Sequence, residues 1–63
     1  MHKSTATHCF IESCYGTLED LHQALRDDWY EVQANWETFM DGLCRDGLIT
    51  LEQYESWIFP WRR

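Results

Sequence analysis

The apolar residues between Leu18 and Leu43 recur at intervals of three or four positions. This stripe comprises Leu18, Leu21, Leu25, Trp29, Val32, Trp36, Phe39, Met40 and Leu43. Residues at this spacing fall on one side of an α-helix, so the pattern predicts amphipathic helix within residues 17–46. Thr17 is the expected N-cap, because the acidic side chains of Glu19 and Asp20 follow it in the first turn, where the helix dipole favours them.

The stripe keeps its phase throughout, which permits a single helix about 42 Å long. Two packed helices are the alternative, because the sequence of residues 28–31, DWYE, has the D-x-x-E pattern of a capping box. We favour a break near Asp27 and Asp28, since two shorter helices give a more globular body. Both arrangements place the apolar stripe in the core.

The chain after this region has its own start and stop signals. Gly47 is expected to end the preceding helix, because helix C-termini favour a glycine in the left-handed conformation. Thr50 and Gln53 form a second capping-box pattern, which predicts a short helix over residues 50–59 that stops at Pro60. The apolar residues that share one face of this helix are Leu51, Tyr54, Trp57 and Ile58. The last residues, from Trp61, are expected to form a surface tail.

Residues 1–16 show no helical period and are predicted to form an irregular or short-strand arm; one or two turns of helix packed on the rest are the alternative. No internal repeat or Pro/Gly/Ser-rich linker divides the chain. We therefore expect residues 1–63 to form one small all-α domain, a bundle of two to three helices with an N-terminal arm.

Charge is distributed unevenly along the chain. Eleven acidic and five basic residues give a net charge of −6. Between Glu12 and Glu55 the eleven carboxylates meet only Arg26 and Arg45, and eleven minus two leaves nine net negative charges. Such a body repels phosphate, which disfavours direct nucleic-acid binding and favours a basic partner surface.

The chain shows no apolar run long enough for a signal peptide or a membrane span, and its three cysteines are too few for a disulfide scaffold. These features favour a cytoplasmic protein without membrane contact.

Two partial metal motifs occur in the sequence. Residues 46–52 resemble part of a calcium-binding EF-hand loop, but its first, third and twelfth positions would be Gly42, Cys44 and Gln53, so the acidic ligands are missing. A tetrahedral zinc set could draw on His8, Cys9, Cys14 and His22. Against zinc, the sequence lacks a C-x₂-C pair. Since no catalytic motif is present either, we expect no metal, no cofactor and no enzymatic activity.

Carboxylates on the polar side of the predicted helices are the candidates for partner binding. The expected partner-binding residues are Asp27, Asp28, Tyr30, Glu31, Glu37, Asp41 and Trp61. Tyr30 projects roughly 120° from the apolar stripe, and an exposed tyrosine among carboxylates is typical of an interface anchor. Trp57 and Phe59 are expected to pack on the stripe, with Trp61 partly exposed. The alternative is an acidic face that only keeps the protein in solution.

A short, acidic, helical chain without a catalytic motif resembles the small inhibitors that bacteriophages and mobile elements encode, including anti-CRISPR and anti-restriction proteins that mimic DNA. The resemblance covers the whole chain as size, charge and helix content, and it carries over no individual residue. It implies an inhibitor in the cytoplasm of a bacterial host that binds a basic nucleic-acid-binding complex, such as a Cas effector.

This inhibitor is expected to act as a monomer or weak homodimer. Two other classes stay open at this point: an assembly or regulatory protein that self-associates through its C-terminal aromatic cluster, and a metal-dependent or enzymatic module.

Overall fold

Four helices follow one another along residues 1–62, the part of the chain that the computed structural model describes. They are α1 (Lys3–Cys14), α2 (Leu18–Asp27), α3 (Trp29–Arg45) and α4 (Leu51–Ser56). α3 is the longest and packs against each of the other three. No strand occurs within residues 1–62, so the expected all-α class is confirmed, with one helix more than the upper number predicted.

The break between α2 and α3 lies at the position that the sequence favours. Asp28 has an extended backbone (φ −156°, ψ 89°), which ends α2, and its Oδ1 accepts a hydrogen bond of 3.2 Å from the Glu31 backbone N–H. At the start of α2, Thr17 Oγ1 accepts a hydrogen bond of 3.1 Å from the Asp20 backbone N–H. Residues 17–46 therefore form two capped helices rather than one long helix.

The turn between α3 and α4 is stabilised at both ends. Gly47 adopts a left-handed φ of +77°, and the Leu48 N–H donates back to the Leu43 carbonyl over 3.0 Å, which closes a Schellman motif. At Thr50 both hydrogen bonds of the capping box to Gln53 form. However, α4 ends at Ser56, so the predicted helical range of 50–59 is too long at its C-terminus.

The predicted N-terminal arm is wrong, because residues 3–14 form helix α1 and supply part of the core. Ala6 and Phe10, one turn apart, are both fully buried. Phe10 and the partly buried Ile11 are the only large apolar residues of α1, and two adjacent positions are too few to show a helical period. Gly16, with φ +89°, ends this helix and turns the chain into α2.

The core gathers side chains from three helices and from the turn before α4. The buried residues are Ala6, Phe10, Leu21, Val32, Trp36, Met40 and Ile49. Four belong to the predicted apolar stripe, whereas Leu18 of that stripe is 53% exposed at the start of α2. The predicted apolar face of the last helix is wrong at Leu51, 63% exposed, and at Ile58, 74% exposed.

The C-terminal segment (residues 57–62) folds back onto the core rather than forming a surface tail. The half-buried Trp61 ring lies 5.9 Å from the Trp36 ring, edge to face, and 6.0 Å from the Phe10 ring, centroid to centroid. The Trp61 carbonyl accepts a hydrogen bond of 3.3 Å from Trp29 Nε1. This segment thus forms one wall of a groove along α3.

Candidate protein-binding surface

An acidic cleft of about 180 Å³, here called the elbow cleft, lies where α2 turns into α3. Its lining residues are Tyr15, Ala24, Asp27, Asp28, Glu31, Val32 and Asn35. The turn at Asp28 brings the end of α2 and the start of α3 together, so three carboxylates that are close in sequence share one cleft. No basic residue is among those that line it in the described chain.

Two of these three carboxylates also hold the local backbone or side chains in place. Asp28 caps α3, and Asp27 Oδ1 accepts a hydrogen bond of 3.1 Å from Gln23 Nε2 within α2. Beside them, Asn35 Nδ2 donates to the Tyr15 hydroxyl over 3.1 Å, which ties the end of α1 to α3. Two carboxylates of the elbow cleft therefore also stabilise the local structure.

A second and larger depression, the C-terminal groove, runs between α3 and the C-terminal segment. Its main part, about 310 Å³, is lined by Gln33, Trp36, Glu37, Met40, Tyr54, Glu55, Trp57, Ile58 and Phe59. A shallower part of about 410 Å³ adjoins it, lined by Trp29, Gln33, Ile58, Phe59, Trp61 and Arg62. Gln33, Ile58 and Phe59 line both parts, so the two form one continuous surface.

The C-terminal groove combines an apolar floor with carboxylates from two helices. Trp36 and Met40 are buried beneath it, and the Trp36 ring lies edge to face with the Phe59 ring at 6.1 Å. Glu37 contributes from α3 and Glu55 from α4; both are exposed. Arg62 is the one basic lining residue in the described chain, and it lies at the shallower part.

The predicted site residues do not converge on one cleft. Asp27, Asp28 and Glu31 line the elbow cleft, whereas Glu37 lines the main part of the groove and Trp61 the shallower part.

Tyr30 and Asp41 line neither depression. Tyr30 is 60% exposed and packs edge to face on Trp29 at 5.3 Å, and Asp41 Oδ2 contacts Arg45 Nε at 3.0 Å. Helical geometry places Tyr30, Glu37 and Asp41 on one side of α3.

Most of the carboxylates form no ion pair with another described residue. Among residues 1–62, ion-pair contacts join only Glu12 to His8, at 2.8 Å, and Asp41 to Arg45. In each pair the two residues lie one helical turn apart on the surface, where such pairs contribute little to stability. The remaining nine acidic residues leave the surface of α2, α3 and α4 strongly negative.

The cysteine and histidine side chains show no shared centre. No group of three or more His, Cys, Asp or Glu residues in the described part of the chain could hold a metal ion. All three cysteines are free thiols. Cys14 lies at the surface at the end of α1, yet the atoms packed around its sulfur bury it enough to raise the pKa of the thiol.

The sequence alone did not single out several residues that form the groove. Gln33 and Glu55 were not proposed as binding residues, and Ile58 was expected on the apolar face of the last helix. The one local signal is the i, i+4 spacing of Gln33 and Glu37, which places both on the same side of α3. The other wall depends on where the C-terminal segment folds, which no local pattern reports.

None of the helices in the described residues has the length and apolar character needed to cross a lipid bilayer. The chain was also compared with known proteins. No protein-family model, curated protein or solved structure matches it.

Proposed function

We propose that this protein is a non-enzymatic inhibitor that binds a basic, nucleic-acid-binding protein and blocks the surface that would hold nucleic acid. The observation that carries the proposal is the large set of carboxylates without ion-pair partners on the described surface, distributed over α2, α3 and α4. A surface of one charge sign attracts a surface of the other and repels phosphate.

The proposed mechanism is electrostatic occlusion. Along α3, Asp28 and Asp41 lie about 20 Å apart at 1.5 Å per residue, with Glu31 and Glu37 between them. One turn of DNA spans about 34 Å, so these positions extend over little more than half a turn, with Asp28 and Glu31 at the elbow cleft and Glu37 and Asp41 on the Tyr30 side of α3. Long-range attraction raises the association rate, and Tyr30 supplies an exposed aromatic anchor beside the carboxylates.

The profile shared with phage-encoded anti-CRISPR and anti-restriction proteins extends the proposal to the partner. The target would be a defence complex, such as a Cas effector, in the cytoplasm of a bacterial host. The inhibitor would act as a monomer or weak homodimer through protein contact alone.

Self-association through the C-terminal segment is the second candidate function. One observation favours it: Ile58 is 74% exposed directly beside the aromatic rings. Against it, Phe59 and Trp61 use their rings for contacts within the chain. Sedimentation velocity over a range of protein concentrations distinguishes the two candidates, because an assembly protein forms a stable oligomer at low concentration, whereas the inhibitor stays a monomer or at most a weak homodimer.

The proposal is tested by capture, followed by competition. The tagged protein is incubated with lysate from bacteria that have active CRISPR and restriction systems, washed with rising salt, and its partners are identified by mass spectrometry. We expect one nucleic-acid-binding complex that elutes as salt rises and that double-stranded DNA or guide RNA displaces. A partner whose binding ignores both salt and nucleic acid would contradict occlusion.

A pair of charge reversals tests the α3 surface with the purified partner. Glu37→Lys with Asp41→Lys is expected to weaken binding at least about tenfold while the helical circular-dichroism signal stays intact. Glu12→Lys with Glu52→Lys changes the net charge equally at positions that line none of the depressions described above, and it should cost much less. Equal losses from both pairs would reduce the effect to net charge and remove α3 as the specific surface.

A further inference from the structure

The C-terminal groove differs from the rest of the acidic surface because its carboxylates border an apolar floor. Glu37 and Glu55 come from different helices, and Trp57, Ile58 and Phe59 line the same groove. Charge alone does not account for Ile58, a large aliphatic side chain that is 74% exposed at the wall of a groove. Such a combination suits a ligand that is itself both cationic and apolar.

We propose that the C-terminal groove binds an arginine side chain of the partner together with an aliphatic residue next to it. This inference rests on the proposed function and deepens it, since it assigns one contact of the basic partner to one place on the surface. The elbow cleft and the outer side of α3 then contribute attraction at longer range, and the groove provides the close contact.

Arginine fits the groove better than lysine does. Its guanidinium is planar, delocalised and weakly hydrated, so it can lie against an aromatic ring while its N–H groups donate to carboxylates. Trp57 provides the ring, and Glu37 and Glu55 provide the acceptors, while the Phe59 ring is packed against Trp36 in the apolar floor. A lysine ammonium is more strongly hydrated and loses more by leaving water for an apolar groove.

The dimensions of the groove suit the proposed occupant. Its main part, about 310 Å³, lies within the range for ligand pockets and has room for one long side chain with an apolar neighbour. The exposed Ile58 would cover the aliphatic neighbour. Arg62 lies at the adjoining shallow part and repels a second cation there, which leaves the main part as the arginine position.

The direct test is an NMR titration of the isotope-labelled full chain with the acetylated, amidated tripeptide Leu-Arg-Leu. The same peptide with citrulline in place of arginine is the matched control, because citrulline keeps the planar shape and loses the charge. We expect saturable shifts at Gln33, Ile58 and the Trp57 indole, and about tenfold weaker binding of the citrulline peptide. Peptide binding should also weaken as salt rises.

Variants of the protein supply the second arm. Glu37→Gln and Glu55→Gln should each lower the affinity for the peptide several-fold, and the two together should remove detectable binding. Glu52→Gln, on the same short helix as Glu55 but not lining the groove, should leave it unchanged. Equal binding of both peptides, shifts centred on the elbow cleft, or no saturable shift would overturn the proposal.

The same experiments separate this inference from the proposed function. If the capture experiment yields a salt-sensitive partner but the Glu37→Gln, Glu55→Gln double variant binds that partner as the parent does, the groove contact is refuted and the function stands. If the arginine peptide binds as expected but capture yields no basic partner, the proposed function is refuted, and the groove is still an arginine-binding site. If the protein forms a dimer and the peptide dissociates it, the groove binds Arg62 of a second copy. That result would overturn the proposed contact with a partner.

Discussion

The elbow cleft and the C-terminal groove are both acidic, yet they are held together in different ways. The elbow is local: a helix ends, the chain turns at Asp28, and the carboxylates that line the cleft lie within five residues of one another. The groove is assembled from distant parts of the chain, since Glu37 and Ile58 meet only because the C-terminal segment packs against α3.

This difference bears on what the two acidic regions can do. In the elbow, Asp28 stabilises α3 by capping its N-terminus, so charge at that position contributes to folding as well as to any binding. In the groove, the side chains of Glu37 and Glu55 make no hydrogen bond or ion pair with the described residues, and neither of them caps a helix N-terminus. The elbow should therefore tolerate substitution less well, and the groove should respond to substitution mainly through binding.

The largest expected loss of stability comes from removing the Phe10 ring, on which both regions depend. Phe10 is fully buried between Tyr15 at the elbow side and Trp61 at the groove side, with centroid distances of 5.7 Å and 6.0 Å. Phe10→Ala should cost about 3–5 kcal/mol, which is comparable to the whole free energy of unfolding of so short a chain. Circular dichroism should show a largely unfolded protein at room temperature.

The matched control for this variant is Leu51→Ala, because Leu51 is a large apolar residue that is mostly exposed. Its melting temperature should stay near that of the parent, with a change in unfolding free energy of about 0.5 kcal/mol or less. A cooperative melt of Phe10→Ala close to the parent temperature would show that α1 does not contribute to the core as described.

The next effect separates the two regions. Trp61→Ala removes the ring contacts to Phe59, Trp36 and Phe10 and should cost about 2 kcal/mol, since the ring is half-buried. The C-terminal segment should detach, so amide shifts should change for residues 57–59 and stay small at Asp28 and Glu31. An unchanged melting temperature would show that Trp61 does not pack on the core and belongs to a surface tail, as the sequence predicted.

The sequence predicted the features whose causes are local. Thr17, Asp28 and Thr50 all cap helices as expected, because a capping residue and the N–H groups it accepts from lie within three positions. The buried stripe of α3 was also predictable, since one helix supplies the whole period. Helix α1 was not, because only Ala6, Phe10 and Ile11 connect it to the core, and three positions are too few to show a helical period.

The groove was beyond prediction from local patterns. The helical period continued from Leu51 to Ile58 would place both in the core, but α4 ends at Ser56 and the chain becomes extended at Trp57 (φ −83°, ψ 98°), which turns Ile58 outward. Glu55 and Glu37 line the same groove because α4 packs against α3, and no local pattern reports that packing. Of the candidate site, the three elbow carboxylates could be grouped from the sequence, while the pairing of Glu37 with Glu55 required the fold.

A smaller effect distinguishes the structural role of an elbow carboxylate from its charge. Asp28→Ala removes the N-cap of α3 and should lower the free energy of unfolding by about 1 kcal/mol, whereas Asp28→Asn keeps a capping oxygen and should cost only a few tenths. Urea unfolding followed by circular dichroism measures both. Once the partner is identified, Asp28→Asn should still weaken binding, because it removes the charge. Equal stability of the two variants would show that the cap contributes nothing to the free energy of unfolding.

The smallest effect is expected at the hydrogen bond that joins α1 to α3 beside the elbow. Tyr15→Phe removes the hydroxyl that accepts from Asn35 Nδ2 but keeps the ring that packs edge to face on Phe10. Because the hydrogen bond is exposed, water replaces it, and the loss should be about 0.5 kcal/mol or less. Tyr15→Ala, which also removes the ring, should cost clearly more. If thermal melts show the two variants equally destabilised, the hydroxyl rather than the ring holds α1 at the elbow, and the elbow would then depend on a long-range contact as the groove does.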